Sequence, residues 1–115
     1  MVKMIICLRR RPDLTPEAFQ QHWRDVHAPL VVRHATTLGI KRYVQIYARE
    51  AAAAGGRPEG FDGIGEIWIE SVEAFRAAAT PEGAVAVREL SESDAFLTDL
   101  SSSPRTFGTE ITIIG

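Results

Sequence analysis

Two of the chain's three histidines and one of its two tryptophans fall within FQQHWRDVHAPL, residues 19–30. His27 follows Trp23 by four residues, and Trp23 follows Phe19 by four. On a helix that spacing stacks the three side chains on one side. Phe19 and Trp23 are large and apolar, so that side faces a core and carries an imidazole inward with it. An inward imidazole can move protons near neutral pH. Burial opposes its charged form, whereas the negative end of a helix stopping near Pro29 favours it. Their balance predicts a pKa near neutrality. The plainer alternative is a buried histidine bonded to a backbone carbonyl, with no chemistry. His22 sits one residue before Trp23 and is expected to point off the stripe into solvent. His34 lies seven residues after His27, and a helix break between them leaves its side open.

More candidates alternate along two later segments. RYVQIYA at 42–48 reads as a strand with Tyr43, Gln45 and Tyr47 on one face. GIGEIWIE at 63–70 reads as another, with Glu66 and Trp68 sharing a face. A tyrosine hydroxyl and a carboxylate beside His27 would supply a donor, a base and an orienting partner, and Trp68 could stack on a ring. The alternative is that these residues line a subunit interface, where tyrosine and tryptophan are also favoured. Asp62, before Gly63, reads as a turn residue. Cys7 sits mid-strand and reads as core filler, not a nucleophile. No P-loop, G-x-G-x-x-G, HExxH or CxxC is present, and His22 and His27 are badly spaced to share a metal. The expected site is therefore His27 as the catalytic group, with Trp23, Tyr43, Tyr47, Glu66 and Trp68 binding a substrate, and neither cofactor nor metal.

The elements that must position these residues are legible from patterning. Residues 2–9 alternate with apolar side chains on both faces, as in a central strand covered twice. Thr15, Pro16 and Glu17 are a helix start, predicting a helix over 16–27. Pro29 predicts a break at Ala28 and a second helical piece to Thr37, stopped by Gly39. Strands follow at 42–48 and 63–70, separated by a Gly/Pro loop at 49–60. Ser71 caps a short helix striped by Val72, Phe75 and Ala79. Pro81 starts another that runs to Leu90 or on to Leu97. A last strand is expected over 107–114. The order β-α-β-β-α-β is the ferredoxin-like pattern, an α+β fold with a four-stranded antiparallel sheet and helices on one face. Nothing in the chain remains to cover the other face, which predicts a homodimer with two sheets packed face to face.

Composition fits this reading. The chain has 115 residues, 45% apolar and 24% charged, as expected of one domain spanning 1–115. Its formal net charge of −2 offers no basic excess for nucleic acid. The first apolar run is too short for a secretory signal, and no run approaches the ~20 residues of a membrane span. With a single cysteine, these features predict a soluble cytoplasmic protein.

The segment RRRPDLTPEAFQQHWRDVHAPLV closely resembles the signature of the EthD family, within the dimeric α/β-barrel superfamily of ferredoxin-like proteins. The likeness runs through Pro12, Thr15, Glu17, Phe19, His22, Trp23, His27, Pro29 and Leu30. It resumes at Phe61-Asp62-Gly63 and Glu66-Ile67-Trp68, then at Phe75, Asp94, Phe96 and Asp99. It implies a dimer whose sheets form a barrel-like core, and a pocket in each subunit between helices and sheet. Superfamily members include polyketide cyclases, dehydratases, decarboxylases, muconolactone isomerases and cofactor-free monooxygenases, and a haem-binding role also occurs. His27 matches the motif histidine, which the resemblance implies as acid/base. Trp23 matches the motif tryptophan, a pocket wall or core anchor. The expected function is cofactor-independent acid/base chemistry on an aromatic, polyketide-like or lactone molecule. The alternatives are cofactor-free oxygenation of an anthrone-like phenol and non-catalytic binding of a hydrophobic ligand.

Overall fold

A computed structural model of the chain describes residues 1–48, 60–77 and 79–115. The Gly/Pro connection expected at 49–60 lies outside the described residues except for Gly60. In chain order the elements are β1 (Val2–Leu8), α1 (Pro16–His22), a π-helical turn (Trp23–His27), α2 (Ala28–Leu38), β2 (Ile40–Tyr47), β3 (Gly63–Ile69), α3 (Val72–Ala77), α4 (Pro81–Leu97), a 3-10 turn (Leu100–Ser102) and β4 (Arg105–Gly108). The sheet order is β2-β3-β1-β4, with each neighbouring pair antiparallel. This is the expected α+β, ferredoxin-like arrangement.

Local chemistry explains the helix ends. The Thr15 hydroxyl accepts the Ala18 N–H at 3.1 Å, and Pro16 occupies the first turn of α1. Thr80 caps α4 in the same way, accepting from Gly83 N–H at 3.0 Å. Gly39 ends α2 at φ 69°, a left-handed conformation that costs glycine nothing.

Contrary to the expectation from Pro29, the chain does not break at Ala28. Proline has no N–H for the carbonyl one turn back, so the helical ladder must loosen before it. The chain loosens it by widening one turn: Ala28 N–H reaches back five residues to the Trp23 carbonyl, and the helix continues to Leu38.

Register divides the sheet into two faces. Met4 pairs with Ile67 and Ile67 with Tyr43, placing β1, β3 and β2 side chains together under the helices. Here Met4, Leu8, Phe19, Trp23, Val31, Leu38, Ile67, Ile69, Ala86 and Leu97 form the buried core. The other face carries Lys3, Ile5 and Cys7 from β1, Arg42, Val44 and Ile46 from β2, and Ile64, Glu66 and Trp68 from β3. No helix covers that face among the described residues. Cys7 lies on it, half-buried, and not in the core under the helices.

The last strand is shorter than predicted. Gly108 already stands opposite Lys3, at the start of β1, so the chain beyond runs out of partner. The alternation of 107–114 therefore ends in an irregular tail whose Ile111, Ile113 and Ile114 are 83%, 86% and 95% exposed. Among the described residues, no helix is long and apolar enough to cross a membrane.

Candidate active site

Phe19, Trp23 and His27 all point inward, at 0%, 1% and 6% exposure, while Val26 is turned out. The Trp23 indole is clamped between Phe19 and Tyr47, at ring-centroid distances of 5.5 and 4.9 Å. Beneath it the sheet has no side chain at Gly63 or Gly65. A Cβ at Gly63 would lie 2.7 and 2.9 Å from indole carbons. The GIG of β3 is thus the seat of the tryptophan, and Trp23 anchors the turn that ends in His27.

Stripe residues of α4 meet that turn. Gly83, Ala86, Ser93 and Leu97 are its buried positions, at helical spacing. Ser93 puts a hydroxyl where the pattern asks for an apolar group. Its Oγ lies 2.9 Å from His27 Nδ1 and 3.2 Å from His22 Nε2. The other ring nitrogen, His27 Nε2, lies 3.5 Å from Asp94 Oδ1. Asp94, Ser93, His27 and His22 thus form a chain of groups that each accept and donate in turn. With Asp94 ionised, His22 N–H donates to Ser93 Oγ, Ser93 O–H to His27 Nδ1, and His27 Nε2–H points at the carboxylate. The two bonds of Ser93 can also run the other way, from His27 Nδ1–H through the hydroxyl to His22. At 3.5 Å the Asp94–His27 contact is longer than a hydrogen bond, so a proton crosses there only when the two groups close up.

His22 is accordingly not a solvent-directed side chain. It is half-buried, stacks on Phe96 at 4.3 Å and reaches Ser93, and burial lowers its pKa. Its outer side faces a surface hollow lined by Leu14, Gln21, Asp25 and Phe96. His34 belongs elsewhere, paired with Glu89 at 2.6 Å between α2 and α4.

The acidity of His27 also departs from expectation. The helix continues past it to Leu38, so no helix end lies nearby to favour the cation. Burial, with a smaller contribution from His22, pulls its pKa down to about 4. His27 is a neutral imidazole at pH 7. Burial acts oppositely on Asp94, lifting its pKa to about 6 against a smaller opposing effect of Arg105. Burial thus moves Asp94 toward neutrality and His27 away from it.

His27 and Asp94 border a narrow cavity of about 90 Å³ between helices and sheet. Its wall is apolar, from Met4, Ile6, Val31, Ile67, Phe75 and Leu90 among others, apart from Ser91 and Arg105. Arg105 reaches it from β4, where it stands opposite Ile6.

The remaining expected site residues fall in two other places. Tyr43 and Tyr47 lie on the helix side of β2, joined through Gln45 by hydrogen bonds of 2.9 and 2.6 Å; Gln45 also donates to the Trp23 carbonyl at 2.9 Å. With Arg24 and Ala28 they line a separate open hollow that His27 does not border. Burial raises the Tyr43 pKa to about 12, so its hydroxyl stays protonated. Glu66 and Trp68 are on the opposite face of the sheet. Glu66 pairs with Lys3 at 3.4 Å, and Trp68 donates to Glu110 at 3.0 Å beneath Arg42. The sheet separates both from His27, because residues that alternate along one strand with Gly63 and Gly65 cannot share the face under the helices. Asp62 is the expected turn residue, accepting the Arg10 N–H at 2.9 Å.

Ser93 and Arg105 escaped the sequence reading, and Asp94 entered it only through the family pattern. A serine inside the buried stripe of α4 was the available signal for the first. Nothing in the sequence marks Arg105, which depends on the register of β4. Among the described residues, no three His, Cys, Asp or Glu side chains converge as metal ligands would.

Residues 11–94 match the model of the EthD domain, and the chain belongs to that family. Its fold is shared with solved structures. An ethyl tert-butyl ether d (EthD) family protein from Bacillus halodurans is 23% identical, with a TM-score of 0.63 over 96% of this chain and 99% of that one. A dimeric protein of unknown function and ferredoxin-like fold from Bacteroides fragilis is 14% identical, with a TM-score of 0.58 over 93% of each chain. SnoaB, a cofactor-independent oxygenase from Streptomyces nogalater, is 16% identical, with a TM-score of 0.58 over 98% of this chain and 95% of that one. No curated protein matches the sequence.

Proposed function

We propose that the protein is a small enzyme that moves protons on an apolar small molecule, an aromatic, polyketide-like or lactone compound, without a bound cofactor. The observation that carries this reading is the Asp94–His27–Ser93–His22 chain, which opens at one end on an apolar cavity and at the other on the surface. Asp94, with a pKa of about 6, is poised as a general base. It would take a proton from a carbon or hydroxyl activated by a neighbouring carbonyl. The electron pair left behind moves onto the carbonyl oxygen, where the Arg105 guanidinium offsets the charge. The proton on Asp94 then returns to another atom of the substrate, completing an isomerisation or cyclisation, or leaves through His27 and Ser93. His27 is the central link, and Tyr43 and Tyr47 stand behind it as structural supports. The likeness to SnoaB supports a second reading, in which the deprotonated substrate is a phenol that then reacts with dioxygen.

The test follows proton exchange, so the product need not be identified. Phenolic ketones, lactones and β-diketones are incubated in D₂O with the protein, and C–H exchange is followed by NMR. The wild type accelerates exchange for at least one class, and Asp94→Asn and His27→Gln lose that acceleration. Exchange at the background rate for every class, or undiminished exchange by both variants, would sink the assignment. Oxygen uptake by an active phenol would favour the second reading.

We further propose that the working form is a homodimer. The uncovered sheet face bears Ile5, Val44, Ile46, Ile64 and Trp68, and the tail adds three exposed isoleucines. Apolar area of this kind is normally covered by a partner. The Bacteroides fragilis relative, described as dimeric, supports the same reading.

A further inference from the structure

The cavity beside His27 and Asp94, at about 90 Å³, is much smaller than the site of a whole organic ligand, which typically spans about 300–1,000 Å³. It can take the reacting end of a substrate, not its body. Leu38, Phe75 and Val87 belong to its wall and also to the wall of an outer groove of about 620 Å³, formed by the end of α2, α3 and the first half of α4. Small residues, Ala79, Gly83 and Ala84, keep part of the groove free of bulk. Its polar members are few. The Thr80 hydroxyl is already engaged as the cap of α4. Arg76 and Arg88 make no ion pair among the described residues, and no carboxylate lines the groove. Glu89, next to Arg88 in sequence, bonds His34, and Arg88 acts on it only through charge at longer range than an ion pair.

We propose that groove and cavity form one binding site for a molecule with an apolar body and an anionic end group. The body lies on Phe75 and Val87, a carboxylate meets Arg76 and Arg88, and the opposite end enters the cavity. This rests on reading the cavity as the reaction chamber, and it adds the anionic end to the substrate's description. Water competes for an exposed guanidinium, so each bidentate carboxylate contact contributes at most about 1 kcal/mol, and two arginines at low salt together give a measurable preference.

The test compares 2-anthracenecarboxylate with 2-anthracenemethanol, which share a ring body and differ in charge. Fluorescence titration at low salt is expected to show the carboxylate binding about five- to tenfold more tightly. The double variant Arg76→Gln/Arg88→Gln removes that difference and leaves the alcohol's affinity unchanged. Ala84→Trp, at an exposed position, fills the groove and blocks both probes without lowering the unfolding temperature. Equal affinity of the two probes, a preference that survives the double replacement, or binding indifferent to Ala84→Trp overturns the proposal. So does no binding of either probe at about 1 mM. Binding alone is read, so failure here leaves the exchange test of Asp94 and His27 standing, and failure of that test removes the reaction chamber while leaving the groove's preference for an anionic end to be read by itself.

Discussion

Replacing Gly63 by alanine would set a methyl carbon 2.7 Å from Cζ3 and 2.9 Å from Cη2 of Trp23, and 3.3 Å from the Ile46 carbonyl oxygen. Carbon atoms pack at about 3.5–4.0 Å, so the indole or the strand must move by most of an ångström. The indole has nowhere to go. Phe19 and Tyr47 flank it, and it is 1% exposed. Overpacking of this kind costs about 1–3 kcal/mol. For a chain of this size, with each kcal/mol worth about 3–6 °C, the unfolding temperature should fall by roughly 3–18 °C. Gly65→Ala is the matched control. Its Cβ would lie 3.9 to 4.0 Å from its neighbours, which is ordinary contact, and its unfolding temperature should hold or rise slightly. Circular dichroism melts of the two variants decide the matter. If Gly63→Ala melts with the wild type, the bare strand is not the seat of Trp23, and the link from β3 through Trp23 to His27 fails with it.

Other expectations follow from the site and the open face. Between about pH 4 and 6 the folded chain keeps the Asp94 proton that the unfolded chain has released, so this group lowers stability as pH rises through that window, by about 2–3 kcal/mol in full above it. Asp94→Asn should therefore be more stable than wild type at pH 7 and lose that advantage near pH 4 in urea titrations. His27 acts in the reverse direction. The unfolded chain takes up its proton below about 6.5 while the folded one resists to about 4, so His27→Gln should flatten the loss of stability on acidification. Ser93→Ala strands the buried His27 Nδ1 and should cost about 1–3 kcal/mol, together with a slowed exchange reaction that Ser93→Thr partly restores. Ile46→Asp, on the uncovered face, should give a monomer in sedimentation velocity where the wild type gives a dimer.

Much of the fold is legible in the sequence because the chain obeys local rules. Thr15 with Pro16 opens one helix and Pro81 another where expected, and the alternation in β1 to β3 gives the strands their faces. The inward stripe of Phe19, Trp23 and His27 is legible for the same reason. What is not legible is whatever depends on hydrogen bonds between distant segments. Pro29 signals a disturbed ladder, but whether the chain breaks or widens is decided by the contacts α2 gains by continuing. The alternation of 107–114 suggests a strand of eight residues, yet the register with β1 runs out at Lys3. The face of Glu66 stays open in the sequence because alternation fixes which residues travel together, not which side meets the helices; Trp23 settles it by demanding Gly63 and Gly65 beneath it. The neutral pKa expected for His27 fails with the helix end expected beside it.

The widened turn at Trp23–His27 has one more consequence. A π turn is, in effect, a helix with one residue too many. Deleting one of Arg24, Asp25 or Val26 would let the segment relax into an ordinary helix, with the Ala28 N–H still meeting the Trp23 carbonyl, now four residues back. The segments before and after would keep their relative phase, and Trp23 and His27 would both still face the sheet. The length of this segment is therefore open to change where the residues at its two ends are not. Variants of this chain that lack one of these three residues should fold around the same sheet and keep the site.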